Sequence, residues 1–356
     1  MSFHAKARDA IWQTVRALAP EPGENVLLPS YNCGAEVDAV LKAAAGVRFY
    51  RVDRETCVDL QHLRESIDGG TRAVIVTHYF GFPQPELQAI VELCRARGLL
   101  LIEDCAHALY SSPGGRPLGT YGDIAVFSLW KTLPIPDGAA TRMNGRLRVT
   151  GGGVQPPLRR SLDWIRLSVR ARLVLRHGRA GRFLKRYAVD VAAAAVKRLP
   201  AVIPPPPPAV ASGNPHVSFD GASAALTMSA PALLIASRSD HRAIAARRRR
   251  NYTLLAAEIR RLGGMRPLHP ELPDGVCPLC LPVVSDDAPS LQEHFARRGI
   301  GTELFWSEFH PACPAGDFPD ATFLKTHVLA LPIHQDLDSP ALEHVVAAIR
   351  AWRAET

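Results

Sequence analysis

The sequence predicts an α/β protein with a mostly parallel sheet, followed by a smaller α/β domain. Three observations carry that expectation. Short β-branched or leucine-rich runs alternate with helical stretches through the first third of the chain. Glycine, proline or polar residues bound each run, as they bound buried strands in βαβ units. The 356 residues are 47% hydrophobic and 21% charged, ample for a folded core, and the length suggests two domains or one large domain with a smaller satellite.

The elements follow in order. Residues 8–18 (RDAIWQTVRAL) have helical spacing, and 26–29 is a short apolar run ended by proline. A helix over 36–45 stops at Gly46, and 47–52 is strand-like. Residues 60–67 read as helix and 73–77 (AVIVT) as a buried strand. A helix over 85–97 ends at Gly98, ahead of buried strands at 99–103 (LLLIE) and 124–128 (IAVFS). The pattern breaks near Gly151–Gly153 and Pro156–Pro157. A basic stretch follows, then a five-proline run at 204–208, a stiff spacer. A long helix is expected over 238–262. The segments 277–284, 291–298, 328–332 and 341–352 suggest the smaller domain. The expected division is 1–155, a basic proline-rich insert at 156–215, and 216–356.

Charge narrows the function classes. The net charge is +8, and the excess sits in residues 159–198, where only Asp163 and Asp190 oppose twelve Lys and Arg. There Leu162, Ile165, Val169 and Leu173 recur near helical spacing, with Trp164 nearby. Such a helix either packs its apolar face on the rest of the chain or lies on an anionic membrane. Arg247–Arg250 has no aromatic interleaving or reader motif, so nucleic acid is not expected; a solvated helix face or subunit-interface ion pairs are. The N-terminus has no continuous apolar stretch and no run of eighteen apolar residues occurs, which argues against secretion and a spanning helix. Seven irregularly spaced cysteines fit reduced thiols in a cytoplasmic protein. Cys277-Pro-Leu-Cys280 lacks a convincing second ligand pair, so no metal is expected. No P-loop or dinucleotide fingerprint is present.

Ligands of open α/β sheets lie beyond the carboxyl ends of the strands. His78 follows AVIVT, Asp104 follows LLLIE, and Ser128 follows IAVF, with Lys131 three residues on. Singly, Asp104 and Ser128 also read as helix caps and Lys131 as a surface lysine. Together, an acid, a hydroxyl and an amine at one sheet edge suit a cofactor with a ring nitrogen, a phosphate and an aldehyde: pyridoxal phosphate.

The run IEDCAHALYSSPGGRPLGTYGDIAVFSLWKTLPIPDGAA resembles the core of the DegT/DnrJ/EryC1/StrS aminotransferases. LLPSYNCGAEVDAVLKAAAGVRFYRVD and THYFGFPQPELQAIVELCRARG upstream are similar to it in the same order, and RRRRNYTLLAAEI and VLALPIHQDL downstream more loosely. The resemblance implies an aspartate-aminotransferase-like fold (pyridoxal-phosphate fold type I) and a homodimer with sites at the interface. It implies that Lys131 bonds the cofactor aldehyde as a Schiff base and then moves the proton. Asp104 would pair with the pyridine nitrogen, His107 lie against the ring or its phenolic oxygen, and Ser128 donate to the phosphate. For His107 a structural role is the equal alternative. The amides of Ala7 and Arg8 would meet the phosphate at a helix start; an exposed arginine is the alternative for the Arg8 side chain. Cys33 stands where many members stack an aromatic on the ring. The short Ser128–Lys131 spacing, the missing partner-subunit asparagine near Ala225 and the absent N-terminal arm mark a divergent branch. The implied activity is transfer of an amino group from glutamate or glutamine to a keto-sugar or related biosynthetic intermediate. The alternatives are other pyridoxal-phosphate chemistry, or a degenerate membrane-associated or regulatory relative.

Overall fold

The structure, a computed structural model, describes residues 1–157, 219, 221 and 223–355. The expectations for the basic 159–198 segment and the 204–208 proline run lie outside the described residues.

Seven strands form the first sheet: β1 (Ser2–His4), β2 (Asn25–Pro29), β3 (Gly46–Tyr50), β4 (Thr71–Thr77), β5 (Leu100–Asp104), β6 (Ile124–Ser128) and β7 (Ala139–Met143). Their order is β1-β7-β6-β5-β4-β2-β3. The strands from β3 to β6 are parallel, whereas β7 runs antiparallel to both β6 and β1. The parallel strands are nearly continuous apolar runs because both faces are covered. Every residue of β2 and β6 is buried. Helices α1 (Ala7–Ala17), α2 (Ala35–Lys42), α3 (Leu60–Ser66) and α4 (Leu87–Arg97) connect them. Each is short and one-sided; α1 buries Ala10, Ile11, Thr14 and Val15 and leaves Arg16 exposed. The βαβ reading therefore holds through residue 128. The antiparallel pair β1 and β7 was not expected from the sequence.

Beyond residue 223, α5 (Ala230–Arg238) and α6 (His241–Leu262) lead to a second sheet. Its strands are β8 (Arg266–Pro267), β9 (Leu281–Val284), β10 (Glu303–Leu304) and β11 (Val328–Leu331), in the antiparallel order β10-β11-β9-β8. Helices α7 (Ala288–Arg297), α8 (Pro319–His327) and α9 (Ser339–Glu355) complete this half.

Two expectations are corrected here. The long helix expected over 238–262 is present but starts three residues later, at His241, because Ser239 and Asp240 are extended and Asp240 caps α6 by accepting from the Ala243 amide. The run Arg247–Arg250 is not one solvated face. Arg248 is buried and donates to Gln335 Oε1 at 2.9 Å and to the Leu279 carbonyl at 2.8 Å. Arg249 donates to the Pro273 and Val276 carbonyls, both at 2.7 Å. These guanidiniums satisfy loop carbonyls that have no strand to join, which a planar fork does well.

Gly81 is a close approach that only glycine allows. Its φ is +101°, and a Cβ there would lie 2.5 Å from the Cys277 carbonyl oxygen. The junction matters because it seats the 277–280 segment against the carboxyl end of β4.

Candidate active site

The strand register brings the candidate residues to one edge. Thr77 pairs with Asp104, Asp104 with Val126, and Ser128 with Ala139, which in turn pairs with His4. The ends of β4, β5 and β6 and the start of α1 therefore share one side of the sheet. Lys131 closes a 3₁₀ turn immediately after β6. That turn is anchored by Leu129 N–H donating to the Gly138 carbonyl at 2.9 Å. The Thr132 carbonyl, next to Lys131, accepts from Gln335 at 3.1 Å and from Arg248 at 3.4 Å.

A cavity of about 360 Å³ opens at this edge. All seven expected site residues line it: Ala7, Arg8, Cys33, Asp104, His107, Ser128 and Lys131. Asp104 is 8% exposed, and its Oδ1 accepts from the Ala106 amide at 2.9 Å. Burial, then the nearby Glu36 carboxylate, pushes its carboxyl up to about 6, although the Ala106 amide and Lys131 pull it down. This carboxylate has no cation at ion-pair distance among the described residues.

His107 Nδ1 accepts from the Phe80 amide at 3.2 Å, while Nε2 lies 2.9 Å from Lys131 Nζ. Burial, then Lys131, holds this imidazole well below its usual range, so the ring is neutral. An amide can only donate, so the one ring proton sits on Nε2, facing Lys131.

The start of α1 also lines the cavity, and its N-cap Lys6 has no side-chain oxygen to cap it. The first-turn amides of such a helix attract anions. Ser128 is buried on the same edge.

His78, the third strand-end candidate, does not line the cavity. It lies beneath it, 0% exposed, with Nε2 3.0 Å from Glu103 Oε2. Glu103 also accepts from the amides of Gly119 (2.8 Å), Tyr121 (2.7 Å) and Gly122 (2.6 Å). Burial would raise this carboxyl, but His78 and the Gly122 and Gly119 amides outweigh it and leave it below the usual range. The sole metal-type cluster among the described residues is His78, Glu103 and Cys105, all buried. Those four donors already occupy the Glu103 carboxylate. Cys277 and Cys280 are buried thiols.

Glu36 and Trp306 escaped the sequence reading. Glu36 lines the cavity and accepts from the Cys33 amide at 3.2 Å and the Cys33 thiol at 2.7 Å. In the sequence it is an ordinary acid in a first helical turn. Trp306 comes from the far half of the chain and stacks on His107, with ring centroids 5.4 Å apart and 24° between planes. No motif marks it, and its positive φ of 60° is invisible to periodicity.

With this geometry in place, the comparisons bear on origin. Residues 5–140 match the model of the DegT/DnrJ/EryC1/StrS aminotransferase family. Over these residues the chain is similar to that family. It is 39% identical over 132 residues to the dTDP-4-dehydro-2,3,6-trideoxy-D-glucose 4-aminotransferase of Saccharopolyspora spinosa, covering 36% of this chain and 34% of that one. It is 36% identical over 121 residues to the L-glutamine:scyllo-inosose aminotransferase of Streptomyces griseus, covering 33% and 28%. The match thus spans about a third of the length of these relatives. Among solved structures, the aminotransferase TlmJ from Streptoalloteichus hindustanus superposes with a TM-score of 0.66 at 22% identity, covering 99% of this chain and 86% of that one. The sugar aminotransferase Spr1654 of Streptococcus pneumoniae, in its PLP form, gives 0.68 at 14% identity, covering 99% and 87%. Among the described residues the aspartate-aminotransferase-like fold therefore reaches beyond residue 140 into the second half. Among the described residues no helix is long and apolar enough to cross a membrane.

Proposed function

We propose that the chain is a pyridoxal 5′-phosphate-dependent aminotransferase that moves an amino group from glutamate or glutamine to a keto-sugar or related carbonyl. The observation that carries this reading is the single cavity in which a buried, cation-free carboxylate, Asp104, accompanies an amine, Lys131, held against a neutral imidazole. These residues fit the cofactor. Asp104 is a carboxylate that gains by meeting a protonated ring nitrogen, the α1 start and Ser128 fit its phosphate, and Lys131 fits its aldehyde. When bound, pyridoxal phosphate supplies an aldehyde carbon that takes up the donor's amino group and a ring that accepts the electron pair released at the substrate carbon.

The chain's own residues do the rest. Asp104 keeps the proton on the ring nitrogen. Lys131 Nζ would take the proton from the substrate carbon and return it to the carbon on the other side of the transferred nitrogen, as base and then acid. His107 Nε2, 2.9 Å from Nζ, orients it. Glu103 and His78 are positioning residues that stiffen the end of β5 beneath Asp104. A glutamine-using relative and relatives named for sugar substrates support the donor and acceptor classes. A homodimer fits the exposed Trp130 beside Lys131 and the exposed Leu233 and Leu234 on α5. Seven unpaired thiols suit the reducing cytoplasm.

The test is spectroscopic. The purified chain with bound cofactor is expected to be yellow and to bleach on addition of glutamate or glutamine, releasing the corresponding 2-oxo acid. Lys131→Ala is expected to lose the borohydride-reducible attachment of the cofactor. Retention of that attachment in the variant would overturn the assignment of Lys131.

A further inference from the structure

Lys325 is a buried charge with no part in the chemistry above. It sits on α8, 1% exposed, some two hundred residues from the Asp104–Lys131 core in sequence. All three protons of its ammonium are used on carbonyls. Nζ donates to the Trp306 carbonyl at 2.7 Å, the Asn32 carbonyl at 2.8 Å and the Glu308 carbonyl at 2.9 Å. The Phe309 and Tyr31 rings flank it, with centroids 4.7 and 5.7 Å from Nζ. No carboxylate lies within 4 Å of it among the described residues, and Glu36 is the largest opposing charge it feels.

Those carbonyls come from two sides of a seam. Asn32 precedes α2 in the first half, whereas Trp306 and Glu308 follow β10 in the second. A second tie crosses beside it, where Tyr31 Oη donates to the Phe305 carbonyl at 3.2 Å. Between the two ties Trp306 adopts the left-handed backbone region, unusual for so bulky a residue. Its ring lies over His107 and 5.0 Å from the Tyr31 ring, lining the cavity. A strained residue persists only where its surroundings over-determine it, and the Lys325 ammonium is the group bonded to its carbonyl.

We infer that Lys325 is a positioning residue of the active site: by gathering the carbonyls of Asn32, Trp306 and Glu308 it fixes the Trp306 indole as the roof of the cavity over His107. The inference deepens the proposed function, since a roof matters only if the cavity receives a substrate. The conformational part stands without any cofactor.

The experiment uses the full chain as wild type, Trp306→Phe, Lys325→Met and Lys325→Gln. Subtracting the Trp306→Phe emission spectrum from the others isolates the Trp306 signal from that of the remaining tryptophans. In the cofactor-free protein, Lys325→Met is expected to shift this signal to the red and raise its acrylamide quenching several-fold. Lys325→Gln, which keeps two of the three donors, should fall between. In the loaded enzyme, Lys325→Met should raise KM for the amino donor about tenfold with little change in kcat, the mark of lost positioning of bound substrate. An unchanged Trp306 signal in Lys325→Met would overturn the inference, as would failure of both variants to fold, which would make Lys325 a general fold determinant. A shifted signal in Lys325→Met, together with a wild-type chain that never binds the cofactor, would support the roof while defeating the proposed function.

Discussion

Removing the charge of Asp104 should stabilise the cofactor-free protein while weakening its hold on the cofactor. The carboxyl titrates at about 6 in the fold against an ordinary value of 3.8. At about 1.4 kcal/mol per pH unit, holding it ionised at pH 7 costs roughly 3 kcal/mol. The residue is buried, so solvent does little to screen this. An acid with a raised folded value incurs no penalty below pH 3.8; the penalty grows as pH climbs through 3.8 to 6 and is constant above. Asp104→Asn keeps an oxygen for the Ala106 amide but never ionises. Urea denaturation of the cofactor-free proteins should therefore show the variant ahead by roughly 3 kcal/mol at pH 7, the lead shrinking toward pH 4. With cofactor the order should reverse, because the cost that Asp104 imposes is what a protonated ring nitrogen relieves. A variant less stable than wild type at pH 7, or a gap that does not change between pH 4 and 7, would refute the reasoning.

Three further outcomes follow from the same structure. Glu103→Gln leaves His78 and three amides facing a neutral group, and thermal denaturation should report a loss of about 3–5 kcal/mol. Gly81→Ala combines a positive φ with a contact 2.5 Å from the Cys277 oxygen, so denaturant melts should show a cost of roughly 2–4 kcal/mol. For Lys325, burial lowers the ammonium to about 8 from 10.5, against the opposing pull of Glu36, Cys33 and Cys313. A base with a lowered folded value carries its penalty in full below pH 8 and sheds it as pH rises to 10.5. Wild-type stability relative to Lys325→Met should therefore climb by roughly 3 kcal/mol across that window, read from paired denaturation curves.

The gathering of the candidate residues at one cavity was legible because they sit at strand ends close together in sequence. The run IAVFS is apolar, bounded and buried on both faces, so its limits at Ile124 and Ser128 were readable to the residue. Lys131 and Asp104 inherit their places from β6 and β5. The strand AATRM was not legible, since it is short, ends in polar residues and pairs with β1, three residues long. Arg248 was misread because four consecutive arginines look solvated, and only tertiary contacts reveal which one is swallowed by loop carbonyls. Trp306 and Lys325 lay beyond reach for another reason. Their roles depend on a seam between segments far apart in the chain, and no local pattern encodes such a meeting.

The carbonyl of Thr132 ties the lysine turn to Arg248 on α6 and to Gln335 near the chain's end. The segment shared with the family, 5–140, is thus not self-sufficient. A chimera that carried it onto a foreign C-terminal half would import the amine but not the brace that aims it, so domain exchange in this lineage has to carry α6 and the 335 region along with the motif.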